Sequence, residues 1–244
     1  MIHPLSERVV GNAVPQDLEA FCPGHSVKAW MQRIRRVPFH RLALTSSLLA
    51  PVLLLTIILA VSLATPNYDP FRETISQMGT SESRYGAWLN GGYVLYGALI
   101  ALGAFGWYSS LRQDRRAGFL AALLGIHALG TMLLAVFPDA PIVPGGVEPK
   151  FNAHNTVSTV AYLPLVGTIL VFNLISMKTA GHRAFSLFGL VVVGVNVPVP
   201  VITLVDAIDP ICGLLQRIFY TLTCSWQAVA SWQLLKRTRS GGEA

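Results

Sequence analysis

The chain has 244 residues, of which 52% are hydrophobic and only 12% are charged, and its mean hydropathy is +0.53. A soluble globular domain carries about 25% charged residues, so this composition excludes one. The net charge of +6 does not indicate nucleic-acid binding, because its cations flank apolar stretches as they do in membrane proteins. The three cysteines, Cys22, Cys212 and Cys224, give no CxxC pair and no metal-ligand spacing.

Residues 1–41 form a polar, basic tail that precedes the first apolar stretch. A signal peptide is only about 15–30 residues long in total, so this tail is not read as one. Residues 27–36 fit an interfacial amphipathic helix with Trp30, Met31 and Ile34 toward lipid. They fit equally well a disordered tail that only sets the membrane topology.

Six apolar stretches then follow one another, each near the roughly twenty residues that cross the hydrocarbon core of a bilayer. The predicted spans are 42–64, 87–109, 117–137, 156–176, 184–205 and 213–235. The sequence therefore predicts an all-α fold, a polytopic bundle of six transmembrane helices over residues 42–236. Residues 237–244 form a second short tail.

The cations predict the orientation of this bundle. Fourteen of the eighteen Lys and Arg residues lie in the N-terminal tail, in the turns at 112–116 and 177–183, and in the C-terminal KRTRS stretch at 236–240. The positive-inside rule therefore places both termini in the cytoplasm. Seven of the twelve acids fall in the other loops, on the outer side, and this asymmetry predicts a polar layer near the outer face.

The first outer loop contains DPFRETISQMG, in which Asp69 and Pro70 read as an N-cap followed by a first helical residue. Asp69, Arg72, Glu73 and Ser76 then fall on one stripe of a short helix. Two interpretations of this loop remain: its polar stripe is functional, or the loop is a capped surface helix with a local Arg–Glu pair.

The second outer loop runs from VFPDAP to AHNTVS and supplies Asp139 and His154. Asp139 can orient His154 as a general base, or His154 and Asn155 can simply cap the fourth span. His127 lies within the third span, where a buried histidine needs a hydrogen-bond partner.

The third outer region contains Asp206 and Asp209, after a span that Pro198 and Pro200 should break. Arg217 lies in the first turns of the last span, where an arginine usually faces the bundle and is paired. The acids expected to pair with Arg217 are Asp206, Asp209, Glu73 and Asp139. These groups are expected either to form a functional pocket or to close the outer end as a structural network.

The elements DPFRETISQMG, WLNGGYVLYG, VFPDAP, AHNTVS and GLLQR occur in this order, and with them residues 42–236 resemble the DUF998 family. The resemblance implies a six-helix integral protein of a prokaryotic plasma membrane and supplies no reaction. The positions that match the polar motifs of the family are Ser76, Asn90, Asp139, His154 and Arg217. Gln216 stands where the resemblance leads us to expect an acid, which weakens a local carboxylate–arginine pair.

The first functional hypothesis is an intramembrane enzyme that acts on a lipid or isoprenoid. Glu73, Asp206 or Asp209, if desolvated, would have a raised pKa and donate a proton to start terpene cyclisation. Tyr93, Tyr96 and Trp226 would then stabilise the carbocation. An outer-facing acid layer counts against this version, because isoprenoids are usually made in the cytoplasm.

A hydrolase or transferase version uses His154 as base, Asp139 as its orienting group and Ser76 as a candidate nucleophile. No zinc site is expected, because a catalytic zinc needs three protein ligands and His127 and His154 are the two histidines on the relevant side. Mg²⁺ stays open if the substrate carries a diphosphate, with Arg72 and Arg217 as phosphate ligands. The alternative class is a non-enzymatic lipid-binding or accessory membrane protein, and a small transporter comes third.

Overall fold

The computed structural model describes residues 39–139, 152–177, 182–198 and 210–240. These residues form six α-helices and one short 3-10 helix, and they contain no strand. The helices are α1 (Phe39–Ala64), α2 (Gly86–Leu111), α3 (Ala117–Leu134), α4 (Ala153–Ser176), α5 (Arg183–Asn196) and α6 (Cys212–Ser240), with the 3-10 helix Ser76–Gly79 between α1 and α2. Each α-helix overlaps one predicted span, so the all-α prediction is confirmed for the described residues.

Four of the helices, α1 to α4, are long and apolar enough to cross a membrane, and α5 is a shorter apolar helix. The protein is therefore an integral membrane protein. α5 ends at Asn196, shortly before Pro198, as expected for a residue that has no N–H to donate. α6 continues to Ser240 instead of ending at 235, because the Leu, Lys and Arg residues of this stretch favour a helix.

Successive helices are neighbours, and α6 packs against both α5 and α1, so that the six helices close into a ring. With successive helices antiparallel, α1, α3 and α5 start at the same end, and α2, α4 and α6 end there. We call this end the basic end, and the opposite one, which carries the 65–85 loop and Asp139, the loop end.

The ring has an apolar outer surface, and its apolar core also contains several buried polar side chains. Buried polar side chains include those of Ser47, His127, Thr168, Asn173, Gln227 and Ser231. Exposed apolar side chains include those of Leu49, Leu59, Val94, Leu129, Leu163 and Val229. A helix of a soluble bundle carries charged and polar residues on its outer face, so the apolar outer surface of this ring is suited to lipid.

Small residues allow the helices to approach closely. A Cβ atom added at Gly130 of α3 would lie 2.7 Å from the Ala161 Cα atom of α4. One added at Gly97 of α2 would lie 2.6 Å from the carbonyl oxygen of Ala128 on α3. Such contacts are typical of membrane bundles, where close backbone packing replaces the hydrophobic effect between helices.

The prediction of a short helix that starts at Asp69 is wrong. Asp69 does cap a turn, since its Oδ1 atom accepts from the backbone N–H of Phe71 at 2.9 Å, but helix geometry resumes only as the 3-10 helix Ser76–Gly79. The carbonyl groups that would extend the helix are used elsewhere. Those of Pro70 and Glu73 accept from Arg217, and that of Phe71 accepts from the N–H of Leu214 at 3.0 Å. Contacts with α6 therefore override the local helix signal.

Candidate functional site

Arg217, near the start of α6, binds the loop that joins α1 to α2. Its Nη1 atom donates to three carbonyl oxygens, those of Pro70 (2.8 Å), Glu73 (3.1 Å) and Gly213 (2.9 Å). Its Nη2 atom donates to the hydroxyl groups of Ser62 (3.3 Å) and Tyr68. We call this set of contacts the Arg217 clasp. The predicted partner Glu73 is present, but through its backbone oxygen and not through its carboxylate.

Tyr68 completes the clasp from the loop side. Its hydroxyl group accepts from Arg217 and lies within hydrogen-bond distance of the carbonyl oxygens of Glu73 (3.0 Å) and Thr74 (2.9 Å). The guanidinium carbon of Arg217 lies 5.2 Å from the Tyr68 ring centroid, a cation–π distance. Burial raises the pKa of Tyr68, and the hydrogen bond from Arg217 lowers it by a smaller amount.

Gln216 also binds the loop, because its Oε1 atom accepts from the backbone N–H of Ile75. Ile75 is buried in the core, so its N–H needs a partner away from water. An acid at position 216 is therefore not needed to pair with Arg217. The glutamine ties the loop to α6 without adding a charge.

The other predicted residues of the first loop have local partners. Arg72 lies 3.8 Å from Asp69 in an exposed ion pair. The Ser76 and Thr74 hydroxyl groups lie 3.0 Å apart, and the Asn90 side chain donates to the carbonyl oxygen of Gly79 at 3.0 Å. Asn90 thereby fastens the 3-10 helix to α2.

Glu73 lines an open cleft of about 450 Å³ at the loop end. Among the described residues, those that line the cleft all belong to this loop, and they are Thr65, Pro66, Asn67, Tyr68, Glu73, Gln77, Met78, Thr80, Glu82, Ser83 and Arg84. Neither Asp139 nor His154 lines it. The outer polar residues are therefore divided between this cleft and the junction of α3 with α4.

Asp139 and His154 are both buried at that junction, with 6% and 7% of their surfaces exposed. His154 lies in the first turn of α4, and its Nδ1 atom is 2.8 Å from the carbonyl oxygen of Phe137, two residues before Asp139. A carbonyl oxygen only accepts, so Nδ1 carries a proton and the neutral ring presents its lone pair at Nε2. The side chain that caps α4 is that of Asn152, which accepts from the N–H of Asn155 at 2.7 Å.

Tyr93 of α2 is buried inside the ring. A side-chain hydrogen bond joins it to Tyr220 of α6. The sequence pointed to Tyr93 as an aromatic residue, but it did not indicate Tyr220 as its partner.

Tyr96 belongs to a second polar group deeper in the ring, which joins four helices. Its hydroxyl group lies 2.9 Å from Nε2 of His127 on α3 and 2.8 Å from Oε1 of Gln227 on α6. The Nδ1 atom of His127 lies 2.7 Å from the carbonyl oxygen of Ala161 on α4. His127 therefore has the hydrogen-bond partners that a buried histidine was expected to need, and they are the Tyr96 hydroxyl group and this carbonyl group.

Hydrogen-bond chemistry fixes the direction of these contacts. Nδ1 of His127 must donate to the Ala161 carbonyl oxygen, so a neutral His127 accepts the Tyr96 proton at Nε2. Tyr96 has only one proton, and Nε2 of Gln227 is buried with no partner. Tyr96 can bond to both groups when the Gln227 amide group is turned so that its nitrogen donates to the Tyr96 hydroxyl oxygen. With these donors and acceptors, His127, Tyr96 and Gln227 form a neutral structural network.

Trp226 packs in an aromatic cluster and is fully buried. Its ring centroid lies 6.1 Å from that of Trp107, 5.8 Å from that of Phe172 and 5.9 Å from that of Phe185. Its indole nitrogen lies 3.4 Å from Oδ1 of Asn173. Its surroundings are those of a core residue.

Asp206 and Asp209 lie outside the described residues, as does the loop between 140 and 151. Within the described parts of the chain, no group of three His, Cys, Asp or Glu side chains is placed to hold a metal ion. The guanidinium group of Arg217 faces backbone oxygens and hydroxyl groups, so it does not fit the expected phosphate ligand of a Mg²⁺–diphosphate site.

The model of a family described as a protein of unknown function, DUF998, matches residues 48–233. The chain belongs to the DUF998 family. The match begins within α1 and ends within α6, covers the four helices between them in full, and includes the clasp and the Tyr96 network. Searches of the curated proteins and of the solved structures gave no match. The function of this DUF998 protein therefore has to be argued from its own residues.

Proposed function

We propose that the protein is a membrane-embedded enzyme that acts on a lipid or isoprenoid substrate at the loop end. The observation that carries the proposal is the burial of Asp139 and His154 at the junction of α3 and α4. Ionisable groups buried in a membrane protein are costly and mark functional sites. Both residues also lie within the stretch that matches the family model.

The favoured chemistry is hydrolysis or group transfer assisted by His154. With Nδ1 held by the Phe137 carbonyl oxygen, Nε2 is the atom that takes a proton from water or from a substrate hydroxyl group. Asp139 stabilises the imidazolium ion that results. Acid-initiated cyclisation has less support, because Glu73 lines an open cleft and an acid that starts such a reaction needs to be desolvated.

The same proposal includes six membrane spans, with both termini in the cytoplasm of a prokaryotic cell. Support comes from the charges of the described residues. The basic end carries Arg41, Arg112, Arg115, Arg116, Arg183, Lys236 and Arg237, with Asp114 as its acid. The loop end carries the acids Asp69, Glu73, Glu82 and Asp139 and the cations Arg72, Arg84 and Arg217, so that the cations outnumber the acids only at the basic end.

Labelling with a membrane-impermeant maleimide tests this topology in intact cells. The native Cys22, Cys212 and Cys224 are first replaced, and one new cysteine is placed by Glu82→Cys or by Gln113→Cys. We expect the cysteine at 82 to react from outside and the one at 113 to react only after lysis. Labelling of both, or of 113 alone, would contradict the orientation.

The enzyme proposal is tested by lipids that co-purify with the protein in mild detergent. Wild type is compared with Asp139→Asn and His154→Ala by mass spectrometry, with Asn152→Ala at the same junction as the control. We expect one enriched lipid or isoprenoid in wild type, lost or chemically altered in the first two variants only. Bulk lipid alone in all four samples would sink the proposal.

The second candidate is a non-enzymatic lipid-binding or accessory protein. The contacts that favour it are those of the Arg217 clasp and of Asn90, which use polar motif residues of the family to fasten a loop. Equal chemical composition of the lipids bound to wild type and His154→Ala, with a less stable Arg217→Ala variant, would favour this candidate.

A further inference from the structure

The cleft of the 65–85 loop opens at a membrane surface. The helices on either side of this loop, α1 and α2, are both long and apolar enough to cross a membrane. Phe71 in the loop and Trp88 in the first turn of α2 are 58% and 73% exposed. Exposed aromatic side chains, tryptophan above all, are typical of the layer where lipid headgroups meet the hydrocarbon. Lipid headgroups are therefore among the ligands that can reach the cleft.

Two carboxylate groups line the cleft, those of Glu73 and Glu82. Neither of them forms an ion pair with any of the residues that the structure describes. An ionised carboxylate group only accepts hydrogen bonds. The cleft therefore offers two acceptors with negative charge to a cation that carries N–H donors.

One positive group lines the same cleft. The guanidinium carbon of Arg84 lies 5.5 Å from the Tyr85 ring centroid, and Arg84 pairs with no carboxylate of the described chain. Arg217 contacts the lining residue Tyr68, but its guanidinium group donates to the oxygen atoms of the clasp. The cleft thus holds one cation and two acids that do not neutralise one another by direct contact. This arrangement suits a ligand that carries both a positive and a negative group.

The neutral lining favours a ligand with N–H donors. The Oγ atom of Ser83 is buried and has no hydrogen-bond partner among the described residues, and an unpaired buried hydroxyl group is costly. A primary ammonium group has three donors, which match the acceptors that Glu73, Glu82 and Ser83 provide. A trimethylammonium group has no donor and contributes only its charge. The cleft volume of about 450 Å³ falls in the range of about 300–1,000 Å³ that is typical of small-ligand sites.

We propose that the cleft binds a phosphoethanolamine group, with its ammonium group beside Glu73 and Glu82 and its phosphate group beside Arg84. This group is the headgroup of phosphatidylethanolamine, and it also exists as a soluble ester. The inference goes beyond the enzymatic activity proposed above, because neither Asp139 nor His154 lines the cleft. The cleft binds this group whether or not His154 performs a reaction.

The test measures binding of phosphatidylethanolamine and phosphatidylcholine to the full chain in detergent by native mass spectrometry. Wild type should bind phosphatidylethanolamine about tenfold more tightly, because one lost hydrogen bond to a charged group has roughly this effect. An exposed ion pair contributes up to about fivefold. Glu73→Gln/Glu82→Gln should therefore bind this lipid roughly 10–25-fold more weakly. The control, Asp69→Asn/Asp114→Asn, removes the same charge outside the cleft and should bind as wild type does.

The phosphate end has its own matched pair of variants. Arg84→Gln should weaken phosphatidylethanolamine binding by about threefold to fivefold, by the same reasoning. Arg72→Gln removes an exposed arginine of the same loop that does not line the cleft, and it should leave binding unchanged. Equal binding by these two variants would show that the phosphate group does not meet Arg84 and would overturn the proposed arrangement.

A charge-preserving variant separates binding from folding, and a competitor identifies the source of the ligand. Glu73→Asp/Glu82→Asp should bind phosphatidylethanolamine within about fivefold of wild type. Lipid that stays bound in millimolar phosphoethanolamine identifies the lipid as the ligand, and displacement identifies the soluble ester; either result supports the phosphoethanolamine site. Equal affinity of wild type for the two lipids, or equal losses in the Gln and Asn double variants, would overturn the proposal.

Discussion

At the scale of single residues, Arg217 fastens the loop after α1 to α6. Its guanidinium group donates to three carbonyl oxygens and two hydroxyl groups, and only a planar group with five N–H donors reaches so many acceptors. Arg217→Ala should lower the melting temperature in detergent by roughly 5–10 °C, because it leaves half-buried acceptors unpaired. Arg217→Lys should recover less than half of this loss.

The control for this prediction is Arg72→Ala, since the Arg72 side chain is 73% exposed and makes one weak ion pair at 3.8 Å. Exposed pairs contribute about 0–1 kcal/mol, so this variant should melt within about 2 °C of wild type. Equal melting temperatures for the alanine variants at 217 and 72 would show that the clasp does not stabilise the fold.

Tyr68 gives the clasp a measurable titration. Burial raises its pKa above the ordinary value of about 10, so the neutral hydroxyl group is favoured in the folded state. Its contribution to stability is complete below about pH 10 and is lost as pH rises through the raised pKa. The absorbance difference between wild type and Tyr68→Phe at 295 nm should therefore show a midpoint above pH 10. A midpoint at or below 10 would contradict the burial of this hydroxyl group.

Tyr96 should be energetically coupled to Gln227. Interhelical hydrogen bonds in membranes contribute about 0.6 kcal/mol on average and up to about 1.7, and Tyr96 makes two such contacts. Tyr96→Phe should lower the free energy of unfolding by about 1–2 kcal/mol, while Tyr108→Phe, whose side chain is 48% exposed, should have no effect. The double variant Tyr96→Phe/Gln227→Leu should lose less than the sum of the two single losses. Additive losses would mean that the two side chains do not interact.

At the scale of elements, hydropathy predicted each of the six helices because length and apolar character act over some twenty residues. The loop after α1 was predicted wrongly because its signal is local. Asp69 and Pro70 favour a helix start, but Arg217 and Leu214 bind the carbonyl groups that a helix needs. These partners are more than 140 residues away in the chain, and no local pattern reports them.

Two glycines of α3 give a matched test of helix packing. A Cβ atom at Gly130 would lie 2.7 Å from the Ala161 Cα atom, whereas one at Gly125 would have no neighbour within 4 Å. Gly130→Ala should force α3 and α4 apart and lower the free energy of unfolding by about 1–3 kcal/mol. Gly125→Ala should be neutral or stabilise by up to about 1 kcal/mol, because alanine favours a helix. Thermal unfolding in detergent would measure both, and equal effects would contradict the close approach.

At the scale of the whole molecule, the sequence located the polar ends of the bundle but not the pairs within it. Asp139, His154 and Arg217 could be found because charge is rare in spans. Gln227 and Tyr220 could not, because Gln and Tyr in an apolar stretch are unremarkable until four helices bring them together. The division of the outer polar residues between the cleft and the α3–α4 junction likewise depends on the closure of the ring.

In the proposed six-span topology, the buried polar side chains of α6 also have a consequence for biogenesis. α6 carries Thr223, Gln227 and Ser231 on its buried side and is not among the four helices that are apolar enough to span alone. The translocon releases a segment into lipid according to its own hydrophobicity. α6 should therefore leave the translocon only when α1 and α2 are already in the bilayer to receive its polar face, so that the first helices act as an insertion chaperone for the last.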